Sequence, residues 1–199
     1  MRNPRLFSVK SSIAFSPPTQ RPLRGLTPAQ LAQRFESALA AGDGATAAHC
    51  VHEWWMGGAY PAVVQAAQAR LWQHPTAQLP DWLPMTYVHW LPLVYDIAAQ
   101  FTASKKGRTN VYLVLLDYAD RRGDDHGVYV GMSRYPAAQR FDQHKAGIRA
   151  AGAVLKRGVE VLAGPVLHLQ GIARAEAARI EAGLAAALAD AGLKVEGGH

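Results

Sequence analysis

Arg140 and His144 stand four residues apart in the run GVYVGMSRYPAAQRFDQHKAG, Gly127 to Gly147. On a helix that spacing puts both side chains on one face. A guanidinium can hold a phosphate through two parallel hydrogen bonds, and a histidine or a phenol can move a proton. Two phenols lie upstream: Tyr129 in the β-like stretch Val128 to Gly131, and Tyr112 in VYLVLLDY. The set still needs a carboxylate to hold a metal. Glu181 supplies one, flanking the apolar stripe Ala177, Ile180, Leu184 and Leu188 of the last helical run. A carboxylate beside a core is costly unless a cation or hydrogen bonds meet it.

These residues need elements to position them. VYLVLLDY and VYVGM are rich in β-branched and aromatic residues, and the turn-like ADRRGDDHG between them predicts an antiparallel hairpin. Its midpoint falls near Asp120 and Arg121, so Tyr112 and Tyr129 come out opposite or diagonal on one sheet face. Gly131 then serves the backbone where the strand ends. PAAQRFDQHKAG reads as a helix, GAVLKRG as a short helix or turn, and VEVLAGPVLHLQ as one or two strands. ARAEAARIEAGLAAALADAG reads as a final helix closed by Gly192.

In their order along the chain these pieces resemble the GIY-YIG nuclease superfamily. Asn110 to Tyr112 stands where the family has its first triplet, of which only the tyrosine is kept, and Tyr129 to Gly131 stands for the second. SRYPAAQRFDQHKAG is similar to the family's strand-to-helix segment, AGAVLKRGVEVL to the segment after it, and AEAARIEAGL to its glutamate-bearing helix. The resemblance runs from about Thr109 to Gly192, a little under half the chain. It implies a three-stranded antiparallel sheet flanked by helices, and an endonuclease using one divalent cation, Mg²⁺ with Mn²⁺ as the alternative. Carried over by residue, Tyr112 acts as general base or helps to form it, and Tyr129 orients water or phosphate. Arg140 stabilises negative charge on the scissile phosphate, His144 assists proton transfer or positions Tyr112, and Glu181 holds the metal. Phosphodiester cleavage needs in-line water and neutralised charge, and a hard cation with few protein ligands fits that need.

Ahead of this segment the chain has another character. Residues 1–25 contain SPPTQRP and read as a basic, irregular arm. TPAQLAQRFESALAAG begins a helix with Thr27 as N-cap and Pro28 at the first helical position. TAAHCVHEWWMGG and PAVVQAAQARLWQH read as two more helices, and MTYVHWLPLVYDIAAQF as another, kinked at Pro92. The fold class expected is therefore α+β. A tryptophan-rich helical bundle over 26–104, with Trp54, Trp55, Trp72, Trp82 and Trp90 as its core, precedes a nuclease-like domain over 105–199. The polar break TASKKGRTN marks the boundary.

Charge follows the same division. The 199-residue chain has a formal net charge of +6 and a pI near 9.7. By blocks, Met1 to Phe35 carries +6, Glu36 to Ser104 −4, and Lys105 to His199 +4. A basic balance of this kind favours an anionic partner, nucleic acid first, with DNA ahead of RNA. Lys145, Lys156 and Arg157 are candidate phosphate contacts, and a plain solvated surface is the alternative. One cysteine, Cys50, excludes an internal disulfide and fits a reducing compartment. No membrane span and no secretory signal are read, so the expected location is cytoplasmic, with delivery to another cell if the protein is a toxin. His49, His52 and Glu53 have spacings that could bind a metal, but ordinary packing histidines are the preferred reading. Glu176 reads as a first-turn residue favoured by the helix dipole. Besides the endonuclease, two other functions stay open: a nucleic-acid binder without turnover, and a protein-interaction module working through the 26–104 region.

Overall fold

The computed structural model of the chain describes residues 16–104, 106–119 and 126–198. Most of the basic arm and the midpoint of the hairpin turn lie outside the described residues. The chain separates into two compact units, Met1–Pro80 and Asp81–His199.

The first unit is helical. Helix α1, Pro28–Ala40, starts as its sequence predicts: the Thr27 side chain accepts from the Gln30 amide, and the Gln30 side chain accepts from the Thr27 amide. Helix α2, Gly44–Met56, is capped by Asp43, whose side chain accepts from the Thr46 amide at 3.0 Å. It buries Ala47, Ala48, Cys50, Val51 and Trp55, and it packs between α1 and α3, Pro61–Trp72. Trp54 meets Phe35 edge to face at 5.4 Å, while Trp72 stays partly exposed. The His49, His52 and Glu53 cluster is absorbed by packing. Glu53 takes a two-pronged ion pair from Arg21 at 2.8 and 2.7 Å, and His49 Nε2 meets the Ser16 carbonyl at 3.0 Å. Burial, with His49 and Arg21 nearby, pulls the His52 pKa down to about 3.

The second unit begins earlier than the polar break suggests. Helix α4, Leu91–Ala98, buries Leu91, Val94, Tyr95, Ile97 and Ala98. They pack against a 3₁₀ turn, Gly164–Val166, and against the long helix of the same unit. The Tyr95 ring fills the space over Gly164, and His168 Nε2 bonds the carbonyls of Ala98 and Phe101 at 3.0 and 3.1 Å. The boundary therefore falls at Pro80/Asp81 rather than at 104/105, and TASKKGRTN is a loop inside the second unit. Trp82 and Trp90 belong to this unit, so the five tryptophans do not form one core. Pro92 lies in the first turn of α4 and starts the helix, where its missing N–H costs nothing, instead of kinking it.

The unit is built on a mixed sheet of four strands: β1 Asn110–Asp117, β2 His126–Ser133, β3 Gly158–Val161 and β4 Val195–Gly197, in the order β3-β1-β2-β4. The first two pairings are antiparallel, whereas β4 lies parallel to β2. The expected sheet of three antiparallel strands is thus corrected to four strands of mixed direction. The added strand is short and glycine-flanked, and Gly197 has φ +88° with its α-carbon packed on the Val130 carbonyl. No period-2 pattern can be read from three residues. Helices α5 Ala137–Lys145 and α6 Gly152–Arg157 cover β1 and β3, and α7 Arg174–Asp190 packs on β2. Leu113, Leu115 and Leu116 of β1 are fully buried, as are Ile180 and Leu184 of α7. Among the described residues no helix is long and apolar enough to cross a membrane.

The boundary is checked with fragments. A fragment over 81–199 should unfold in one cooperative transition, whereas one starting at 105 should lose that transition, because it lacks the buried face of α4. Thermal melts followed by near-ultraviolet circular dichroism read this directly, and a cooperative 105–199 fragment would restore the later boundary.

Candidate active site

The hairpin register sets the site. Tyr112 lies opposite Gly131, and Tyr129 lies opposite Val114, so the two phenols are diagonal neighbours on one sheet face. Their ring centroids are 6.0 Å apart. Gly131 is what lets them meet. A Cβ there would come within 2.6 Å of Tyr112 Cζ and Tyr129 Cε1, and within 2.7 Å of the Tyr112 hydroxyl. Gly131 is therefore not a strand-end device. It sits inside β2 and yields its side-chain volume to the two rings.

Helix α5 brings the histidine. His144 is 1% exposed, and its Nε2 lies 2.9 Å from the Tyr112 hydroxyl. On the other side of the ring, Nδ1 accepts the Ala151 backbone N–H at 2.9 Å. A backbone amide can only donate, so Nδ1 carries the lone pair and Nε2 carries the proton. His144 is thus a neutral imidazole that donates to the Tyr112 oxygen. Burial and the nearby Arg140 pull its pKa down to about 4. Of the two roles expected for His144, the arrangement supports positioning: with Nε2 protonated and Nδ1 engaged, it has no lone pair to receive the phenol's proton. The ring also meets Tyr129 edge-on at 5.9 Å.

The phenols are rooted in an apolar cluster of Val114, Leu116, Tyr118 and Val154, with Phe141 against it. Burial pushes the Tyr112 pKa up, and the neighbouring Tyr129 adds to this, while Arg140 pulls it back. Tyr129 is also raised, first by burial; the negative charge of Glu181 adds to this, and the hydrogen bond with Tyr112 and the charge of Arg140 oppose it. Arg140 therefore lies close enough to act on both phenols, and Glu181 close enough to act on Tyr129. Glu181 is buried in the middle of α7, on the side packed against the sheet. Arg140 donates from Nη1 to Gln143 Oε1 and the Ile148 carbonyl, both at 3.1 Å, and from Nη2 to the Arg149 carbonyl at 2.7 Å.

Tyr112, Tyr129, Arg140, His144 and Glu181 therefore converge. Lys145, Lys156 and Arg157 do not join them. Lys145 Nζ sits on the Gly158 carbonyl at 3.0 Å and the Leu155 carbonyl at 3.5 Å, tying down the end of α6. Arg157 donates to the Asp117 carbonyl at 3.2 Å and stacks 4.7 Å over the Tyr118 ring. Together with Lys156 it lines a separate, shallow cleft beside Asp117. Glu176 accepts from Ser104 Oγ and the Ser104 amide at 2.7 and 3.2 Å, so its work is to hold a loop.

Sequence reasoning missed a cleft of about 610 Å³ that opens beside Arg140 and holds Arg134, Arg149 and Arg174. These arginines come from a turn, a loop and a helix start. They share no period, so nothing in the sequence groups them. Asn110 was also undervalued. Its Nδ2 donates to the Tyr135 carbonyl at 3.1 Å and its Oδ1 accepts from the Gly171 amide at 3.0 Å, pinning the rim of this cleft.

Among the described residues no three His, Cys, Asp or Glu side chains cluster as a metal cage. What the site offers a cation is one buried carboxylate, Glu181, whose charge acts on the Tyr129 phenol. That donor set suits a hard ion that keeps most of its waters, such as Mg²⁺, and does not suit a Zn²⁺ site. No protein-family model, no curated protein and no solved structure matches this chain.

Two measurements check this geometry. Gly131→Ala should separate the phenols and destabilise the second unit by ~1–3 kcal/mol, the usual cost of overpacking; an unchanged melting temperature would remove the close contact. The second follows from His144, whose folded pKa is depressed from 6.5 to about 4. Between those values the unfolded chain binds the proton more readily, so the stabilisation is complete above pH 6.5 and is lost as the pH falls towards 4. It should amount to ~3 kcal/mol. His144→Gln should flatten that part of the stability-versus-pH curve. An unchanged slope would mean that His144 is not held neutral.

Proposed function

We propose that the 81–199 unit is a metal-dependent endonuclease of the GIY-YIG type, hydrolysing phosphodiester bonds in nucleic acid, with DNA as the favoured substrate. One observation carries the reading. The phenol from the first triplet and the histidine from the helix, 32 residues apart, meet in a 2.9 Å hydrogen bond, with the second phenol, the arginine and the glutamate around them. The same five residue types are what the sequence resemblance asks for.

The chain's own residues divide the work as follows. Tyr112 takes a proton from an attacking water only as the phenolate, which the His144 Nε2–H and Arg140 favour and burial opposes. Tyr129 orients that water or a phosphate oxygen. The Arg140 guanidinium meets the charge that builds on the phosphate oxygens in the transition state, where such a contact is worth most. To do so it must exchange at least one backbone carbonyl of the 148–149 loop for the phosphate. Glu181 would hold Mg²⁺, which supplies charge neutralisation and acidified water. The 610 Å³ cleft has no carboxylate in its lining, and its four arginines support an anionic substrate. A non-catalytic nucleic-acid binder is the second reading, favoured by the engagement of Arg140 with the Ile148 and Arg149 carbonyls.

Glu181→Gln separates the two readings. It keeps the shape and removes the charge a cation needs. Melting temperature and nucleic-acid affinity should hold, while Mg²⁺-dependent plasmid nicking should fall by orders of magnitude, and a chelator should abolish nicking by the wild type. A folded Glu181→Gln protein that nicks at the wild-type rate would overturn the metal role. A wild type that binds DNA and never nicks it would favour the binder. Arg140→Ala should lower turnover more than binding, by ~3 kcal/mol in the barrier, read from single-turnover rates at saturating protein.

A further inference from the structure

The cleft beside Arg140 has walls of two kinds. Four arginines line it: Arg134, Arg140, Arg149 and Arg174. The lining also includes two exposed hydrophobic residues: Tyr135, 44% exposed, and Ile148, 56% exposed. The rim bearing Tyr135 is fixed by its neighbours, because the Tyr135 amide donates to Ser133 Oγ at 3.0 Å and its carbonyl accepts from Asn110. Another part of the lining, Ile148 and Arg149, comes from a loop wound through left-handed backbone at Gly147, φ +76°, and Arg149, φ +46°. A non-glycine residue in that region is uncommon and costs free energy. Here it places Arg149 at the cleft while the Arg149 carbonyl holds Arg140.

Fixed cations alone would suit any phosphate backbone. A cleft that adds an exposed aromatic ring and an aliphatic side chain suits a base whose faces are free. In a duplex both faces of a base are covered by stacking, so only an unpaired nucleotide offers a face to a side chain. The cleft volume, about 610 Å³, lies within the ~300–1,000 Å³ of pockets that enclose a small ligand. We propose that this cleft binds a single-stranded nucleotide next to the scissile phosphate, its phosphate on Arg134, Arg149 and Arg174 and its base between Tyr135 and Ile148. The proposal rests on the reading of the unit as a nucleic-acid enzyme. It adds that the substrate is unpaired at, or next to, the cut.

The test uses the full chain in chelator, so that nothing is cleaved, with fluorescent single-stranded DNA and RNA 12-mers and the matching DNA duplex. Single strands of one or both sugars should bind at least tenfold more tightly than the duplex. Tyr135→Ala should weaken single-strand binding by about tenfold, the scale of a lost base–aromatic contact, with an unchanged salt slope. Arg134→Ala and Arg174→Ala should each weaken binding and reduce the slope of log affinity against log salt by about 0.7. Tyr135 is on the surface, so its variant tests binding without risking the fold. Equal or tighter duplex binding, or indifference to Tyr135→Ala, overturns the proposal and leaves the nuclease reading standing. Single-strand-selective binding without cleavage when Mg²⁺ is added upholds the single-strand cleft but overturns the nuclease reading, and with it the placement beside a scissile phosphate. Failure to bind any of the three probes overturns both.

Discussion

The second unit depends on an imidazole that has nowhere to put an extra proton. His144 accepts from the Ala151 amide with one nitrogen and donates to the Tyr112 oxygen with the other. This bridge links the loop after α5 to the strand that carries the first phenol, and it is buried. The bond from the Ala151 amide requires the neutral ring, so burial and bonding act in the same direction. The tautomer, the aim of the Tyr112 hydroxyl and the seat of the α5–α6 loop are therefore one choice rather than three. Arg140, one turn earlier on α5, inherits its position from the same contact, since its fork closes on the carbonyls of that loop.

Charge and burial oppose each other around this bridge. The phenols sit in apolar surroundings that keep their protons on. Arg140 pulls the other way, and at Tyr129 the charge of Glu181 restores the balance towards the neutral phenol. A site arranged in this way rests with its phenols protonated, and added positive charge shifts it towards phenolate. The arginines of the neighbouring cleft add to the positive potential at its mouth, and an arriving phosphate meets that potential first.

What the sequence disclosed follows from which signals are local. The hairpin was legible because β-branched runs flank a turn, and its register put both tyrosines on one face. The helix carrying Arg140 and His144 was legible from spacing, and Glu181 from the stripe beside it. Gly131 was misread because a glycine's use as empty space shows only when the rings above it are seen. The boundary was misplaced because TASKKGRTN has the composition of a linker, while the buried residues of α4 show their partners only in three dimensions. Lys145 and Arg157 were read by charge, and the fold spends them on carbonyls and a tyrosine ring. Arg134, Arg149 and Arg174 were missed because a turn, a loop and a helix start with no shared period bring them together.

The β4 strand bears on the order in which the unit forms. The β1–β2 hairpin closes through near neighbours in the chain, and β3 follows after α5 and α6. By contrast, β4 joins β2 only after the chain has travelled through β3, the 3₁₀ turn and the whole of α7. Contacts between segments so far apart close late, because the loop entropy must be met before the pairing repays it. Glu181 rides on the helix inside that last loop. The tyrosines and the histidine can therefore meet early, while the carboxylate docks in the step that completes the sheet. A nascent or partly unfolded chain would hold the proton-handling half of the site without the cation-holding half, so any catalytic competence would arrive with the final closure of the fold.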